Sequence, residues 1–366
     1  MFVINNINVL KIRNSRKCGF FLFVLFLYSC NIPFYSNESK IKKDWKKYLI
    51  ELKKDSLNYT NKKNWESSQI APDLPLYTIL TETDFFKVTP TIISLDKVDS
   101  LTMIKTKFYL GNGELHSIFI SLAKKNNKDS TVFIPYFDYY TSKMAKSKIK
   151  SIQYFYDSTK YSIDSLEADR MNKFNSELAK LFQTDEIEFN YYVFKNTKER
   201  LLAEGYEYSY LTQKILQNSA HADLNNNSIV VGKYISAYPH ELVHLYTAKY
   251  YPNVHPWLDE GLAEYLGNSS EKLKSNRKIL YNYFKSNKLK TNDILSLPDD
   301  IAKNGTSLKY DFGSLLVEKI HTNHPKTWIK DIVNSGPHND NFYDLIESKL
   351  NVKSEDLVDS IMFWIK

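Results

Sequence analysis

The chain has 366 residues, 43% of them hydrophobic and 25% charged, with a formal net charge of +7, and that length has room for about two domains. The Lys residues are scattered among Asp, Glu and Asn rather than clustered, so the positive balance describes a basic surface and points to no nucleic-acid partner. Its two Cys, Cys18 and Cys30, fall in the first thirty residues, which excludes a disulfide framework and a thiol-dependent site from everything that follows.

Residues 1–30 read as an export leader. Lys11, Arg13, Arg16 and Lys17 precede the apolar run Gly19 to Leu27, which is shorter than the ~20 residues a spanning helix needs. The run ends in Leu27-Tyr28-Ser29-Cys30, which resembles the lipobox of bacterial lipoproteins. That resemblance implies cleavage before Cys30, lipidation of its thiol, and an exported protein held to a membrane through an N-terminal lipid anchor. Tyr28 departs from the lipobox pattern, and an ordinary secretory signal or an uncleaved anchor stays open.

Residues 31–63 read as a polar tether followed by one helix, with Trp45, Tyr48, Leu49 and Leu52 at i, i+3, i+4, i+7. That stripe suits core packing. The Lys40–Lys47 run beside it reads as a solvated face or a contact with anionic lipid. Residues 64–160 read as a β-rich domain, with strands over Leu101–Leu110, Leu115–Leu122, Thr131–Tyr136 and Ile149–Tyr156. Turn signals at Gly111-Asn112-Gly113 and Lys124–Ser130 join them into an antiparallel sheet.

Residues 161–366 form the second unit. A helix over Ser165–Phe182 carries Leu166, Met171, Phe174, Leu178 and Leu181 on its expected apolar face. A strand over Ile187–Phe194, a helical stretch around Lys198–Leu202 and a short strand Ser228–Gly232 follow. Next comes His240-Glu241-Leu242-Val243-His244. On a helix, residues four apart lie about 40° apart around the axis and one turn along it, so His240 and His244 can hold one metal ion together. Glu241 is rotated off that line, poorly placed as a ligand but well placed to take a proton from water at the ion.

A hydrolytic zinc site needs a third protein ligand and an open position. Pro252-Asn253 ends the first helix and Pro256-Trp257-Leu258-Asp259-Glu260-Gly261-Leu262-Ala263-Glu264-Tyr265 opens another. Here the chain resembles the gluzincin metallopeptidases, the group containing thermolysin and aminopeptidase N, and within it the bacterial peptidase MA-like branch. The resemblance covers roughly the last two hundred residues. It implies one Zn2+ held by His240, His244 and Glu260, with Glu241 as general base. It also implies an α+β fold: a mainly helical zincin peptidase domain with a small sheet, preceded by the β-rich antiparallel domain. Without it, Glu260 is a favourable charge in a helix's first turn. Glu264, one turn later, reads either as a partner for the second ring N–H of His240 or as a solvated carboxylate. Asp259 reads as a helix N-cap, and His255 as a solvated loop residue. The other histidines have no second ligand spacing.

Tyr310-Asp311-Phe312-Gly313 resembles the Y-x-x-G helix of the aminopeptidase-like gluzincins, which implies that Tyr310 stabilises the oxyanion; half-buried packing is the competing reading. In such enzymes an edge strand before the metal helix often pairs with substrate. The resemblance gives that role to the segment from Ser228 to Ile235, with Ser228, Val230 and Gly232 as candidates. The acidic residue by which aminopeptidases of the group anchor a free amine is missing from it. The expectation is therefore an endopeptidase acting on peptides or proteins at the cell exterior. The competing expectation is a catalytically inactive zincin-fold lipoprotein serving as a binding or structural module.

Overall fold

The structure, a computed structural model, describes residues 40–52, 65, 88–127, 130–210, 220–224, 226–287, 295 and 308–365. The leader with Cys30 and residues 31–39 lie outside these. Among the described residues no helix is long and apolar enough to cross a membrane.

The chain is a mixed α+β protein built on two five-stranded sheets. In the first, β1 (Thr89–Val98), β2 (Leu101–Tyr109), β3 (Leu115–Lys125) and β4 (Thr131–Pro135) run in that order, all antiparallel. Helix α1 (residues 40–52) closes one face. Trp45, Tyr48, Leu49 and Leu52, the stripe read from the sequence, are buried with Ile104, Phe108, Phe119 and Phe133. Each such side chain contributes about 1.5–3 kcal/mol by leaving water. The Trp45 indole N–H keeps a partner by donating to Thr106 Oγ1 at 2.9 Å.

The second sheet has the order β5–β6–β7–β10–β9. β5 (Ala145–Ile149) and β6 (Ile152–Tyr156) form an antiparallel hairpin, and β6 then runs parallel to β7 (Phe189–Val193). β10 (Ser228–Val231) lies parallel to β7 and antiparallel to β9 (Ala220–Asp223). The sheets divide the chain differently from the expected boundary near residue 160. The β5–β6 hairpin belongs with the second sheet, while β8 (Tyr206–Ser209) returns to pair with β3 in the first. Residues 131–136 also split, because Tyr136 already starts the short helix α2 (Tyr136–Thr141).

Helix α3 (Ser165–Phe182) makes the crossover from β6 to β7, and the short helix α4 (Thr197–Ala203) follows β7. Asp164 caps α3 by accepting from the Leu166 and Glu167 amides at 2.8 and 3.1 Å. Its buried face is Ala168, Met171, Asn175, Leu178, Ala179 and Phe182, whereas Leu166, expected inside, is 67% exposed. The misplacement arises because small and amide side chains fill this interface. The Asn175 amide donates to the Ile187 carbonyl at 2.9 Å and its Oδ1 accepts from the Tyr246 hydroxyl at 2.6 Å. Hydrogen bonding thus replaces hydrophobicity at that position.

Candidate metal centre

Helix α5 (Pro239–Tyr250) carries the HELVH run and opens with Pro239, whose fixed φ suits the first turn. Leu242, Val243, Leu245 and Tyr246 are buried in the main core, and the Tyr246–Asn175 bond ties the helix to α3. His240 and His244 then lie one turn apart with ring centroids separated by 4.9 Å.

Two close backbone approaches bring α6 (Pro256–Gly267) onto this face. A Cβ at Gly267 would sit 2.7 Å from the His240 amide nitrogen, so the end of α6 lies directly on the start of α5. A Cβ at Gly261 would meet the Gly313 carbonyl carbon at 2.2 Å, so α6 also touches α8 (Leu308–Asn323) backbone to backbone. Only glycine permits that approach.

Three ligand atoms converge as a result. His240 Nε2 and His244 Nε2 are 3.2 Å apart, and Glu260 Oε2 is 3.4 and 3.2 Å from them. A tetrahedral ion bonded at about 2.0–2.1 Å needs its ligand atoms roughly 3.3 Å apart. Glu260 Oε2 is buried and makes no hydrogen bond of acceptable geometry, despite its closeness to both rings. An orphaned carboxylate oxygen facing two ring nitrogens fits a cation between them. Among the described residues, His240, His244 and Glu260 form the group able to hold a metal ion.

Electrostatics agree. Burial opposes charge on His244, but Asp259 and Glu260 overcome it and push its pKa up to about 10. Burial likewise opposes ionisation of Glu260, and the two histidines outweigh it, holding the carboxyl down at about 2. The site is therefore built to concentrate positive charge, which a metal ion supplies once the rings are neutral.

Outer partners orient both rings. His240 Nδ1 lies 3.5 Å from Glu264 Oε2, placing Glu264 at the second ring nitrogen rather than in open solvent. His244 Nδ1 is 3.0 Å from Asp259 Oδ2. Asp259 is thus a ring partner inside α6 and not its N-cap. The cap is His255, which accepts from the Trp257 amide at 3.3 Å, is 2% exposed, and lies tilted against the Phe342 ring. Its expected solvated position is overturned because Pro256 fills the first helical position and leaves the preceding residue to satisfy the free amide. Asp259→Asn should weaken metal binding about 10–100-fold, measured by competition with a chromophoric chelator. Unchanged affinity would deny Asp259 this orienting role.

Glu241 is 8% exposed, and burial raises its pKa against the downward pull of His240 and His244. Its carboxylate also accepts from the Ala222 backbone amide. Tyr310, at the start of α8, brings its ring centroid to 5.5 Å from that of His240. The ligands sit in a cleft with two lobes that share Ala220, His240, Glu241 and Tyr310. One lobe runs past Tyr238, Asn268 and Asp311; the other runs past Thr247, Ala248, Tyr251 and Pro256.

The substrate-strand expectation is corrected. Ser228 and Val230 belong to β10, an internal strand whose four residues are all buried, and Gly232 packs against Thr197 with no room for a Cβ. The strand that borders the cleft is β9, which pairs only with β10 among the described strands. The unbroken apolar run Ile229-Val230-Val231 was the available signal, since strands covered on both faces read that way.

The chain matches no protein-family model, and no curated protein resembles it closely enough in sequence to stand as a relative.

Proposed function

We propose that this chain is a zinc-dependent peptidase of zincin type that hydrolyses internal peptide bonds. The observation that carries this reading is the convergence of His240 Nε2, His244 Nε2 and the orphaned Glu260 Oε2 at mutual distances of 3.2–3.4 Å, with buried Glu241 next to them in an open cleft. Two imidazoles and one carboxylate, with ligand atoms at these separations, are a donor set that would suit Zn2+. When bound, such an ion lowers the pKa of water toward ~7 and polarises a carbonyl.

The chain's own residues supply the rest. Glu241, its pKa raised by burial, takes the proton of the attacking water and returns it to the leaving amine. The Ala222 amide fixes its carboxylate. Tyr310 lines both lobes and gives its hydroxyl to the oxyanion. Asp259 and Glu264 hold the two rings in the tautomer that presents Nε2. β9 presents Ala220 and Ala222 beside the ligands, and an extended peptide adds along the edge that no other described strand pairs with. Two lobes that meet at His240, Glu241 and Tyr310 favour a substrate that extends beyond the cleaved bond. The export leader read from the sequence would place this activity outside the cell on a lipid anchor.

Removal of metal with a chelator should abolish cleavage of an internally quenched peptide, and one equivalent of Zn2+ per chain should restore it. Equal cleavage by the metal-free protein would sink the proposal. So would a native preparation that takes up no metal, which would leave a binding or structural module.

A further inference from the structure

The lobe past Tyr238 is a cavity of about 470 Å³ with two unlike surfaces. Ile235, Ala237, Tyr238 and Pro239 give it an apolar wall, while Glu264, Asn276 and Asp311 give it an acidic and amide-lined one. Asp311 is 3% exposed, and its Oδ1 has no hydrogen-bond partner. Most cations nearby are engaged elsewhere. Lys272 Nζ lies 3.7 Å from Glu264 Oε1 and donates to Asn268 Oδ1 at 2.6 Å, with its side chain 55% exposed at the mouth. Arg277 pairs with Glu318. The Asn276 amide donates to Glu264 at 3.2 Å and also bonds Asp311. Helix α6 ends at Gly267 in the same wall, adding the negative end of its dipole.

A buried carboxylate oxygen left without a donor costs about 1–3 kcal/mol or more. Here burial first, and Glu264 second, push the Asp311 pKa up to about 7. A structural carboxylate would be expected to have its full set of partners. An apolar wall leading to an unpaired acid is instead the shape that receives a methylene stem ending in a cation.

We propose that this lobe is a substrate side-chain subsite for lysine or arginine, whose charged nitrogen pairs with Asp311 beside the cleaved bond. The inference rests on the peptidase reading and names the residue it selects. Lys272 sets the limit of that selection, since its charge at the mouth repels an incoming cation while it balances Glu264.

The test uses internally quenched peptides, N-acetylated and C-amidated, that carry lysine or norleucine on either side of the cleaved bond. Matching peptides have a free N-terminus. In one of the two positions kcat/KM for lysine should exceed that for norleucine about tenfold or more. Asp311→Asn should bring the ratio close to one, and Lys272→Met, a change at an exposed side chain, should raise it. Fluorescently labelled versions of the blocked peptides should bind the Glu241→Gln protein in the same order without turnover. Equal use of lysine and norleucine by the wild type would overturn the subsite while leaving the peptidase reading intact. A lower ratio in Lys272→Met would do the same. A preference seen only with free-amine peptides would assign the lobe to the α-ammonium group and overturn the side-chain assignment. Cleavage of no peptide by metal-loaded protein counts against the peptidase reading, and the binding arm then decides the subsite alone.

Discussion

Glu241→Gln should bind one metal ion per chain, as the wild type should, and cleave peptide about a hundred to ten thousand times more slowly than it. The size of the loss follows from what the substitution removes. Glu241 is adjacent to a ligand in sequence but turned about 100° from it, so its carboxylate is outside the ligand set of His240, His244 and Glu260. A glutamine of the same shape keeps the acceptor for the Ala222 amide and takes away only the proposed base. The environment makes that base effective, because burial holds its pKa above the usual carboxylate range and nearer to working pH. Metal content by elemental analysis and kcat from the quenched-peptide assay must be read together. Retained metal with lost turnover supports the assignment; unchanged turnover overturns it, and lost metal would place Glu241 among the ligands or in the fold.

Gly313→Ala should destabilise the protein by about 2 kcal/mol or more, although helix propensity alone predicts a gain of about 1 kcal/mol from the same change. Gly313 lies in the middle of α8, where an added Cβ would stand 2.2 Å from the Trp257 carbonyl oxygen and 2.8 Å from the Gly261 Cα. These are backbone atoms of a neighbouring helix and have no rotamer by which to yield. The helices must separate instead, and each carries part of the site: Glu260 and Glu264 on α6, Tyr310 and Asp311 on α8. A loss of that size corresponds to roughly 3 °C in Tm for a chain of this length. Both thermal melting and metal affinity should fall, and Gly261→Ala with Gly313→Ala together should fold poorly or not at all. A Gly313→Ala protein as stable as the wild type would show that α6 and α8 do not meet so closely.

Several elements were legible because their signals are local. Ser165–Phe182 is bounded by the Asp164 cap and forms the helix expected of it. Trp45, Tyr48, Leu49 and Leu52 repeat at helical spacing and are buried together. Legibility faded where a side chain's fate depends on a distant partner. Asp259 and His255 both depart from their expected roles, because His244 stands across from one and Pro256 follows the other. Ser228–Val231 and Ala220–Asp223 are both short strands preceding the metal helix, and the apolar run Ile229-Val230-Val231 is the one local sign of which lies inside. The sheet order answers that, since β7 occupies the side of β10 that β9 leaves free.

The spacing of His240 and His244 is a property of any helix and holds whatever surrounds it, as does the displacement of Glu241 from their line. Local sequence therefore fixes two imidazoles able to share one ion and a carboxylate beside them. Family resemblance singles out Glu260 as their partner, but its convergence on both rings belongs to the tertiary structure. Glu260 Oε2 reaches 3.2–3.4 Å from both rings only because Gly267 admits the start of α5 and Gly261 admits Gly313. The acidic lobe arises in the same way, from α6, α7 (Ser270–Asn287) and α8, which meet far apart in sequence. Helical periodicity acts over one turn, whereas these distances are set by how closely three backbones can pack.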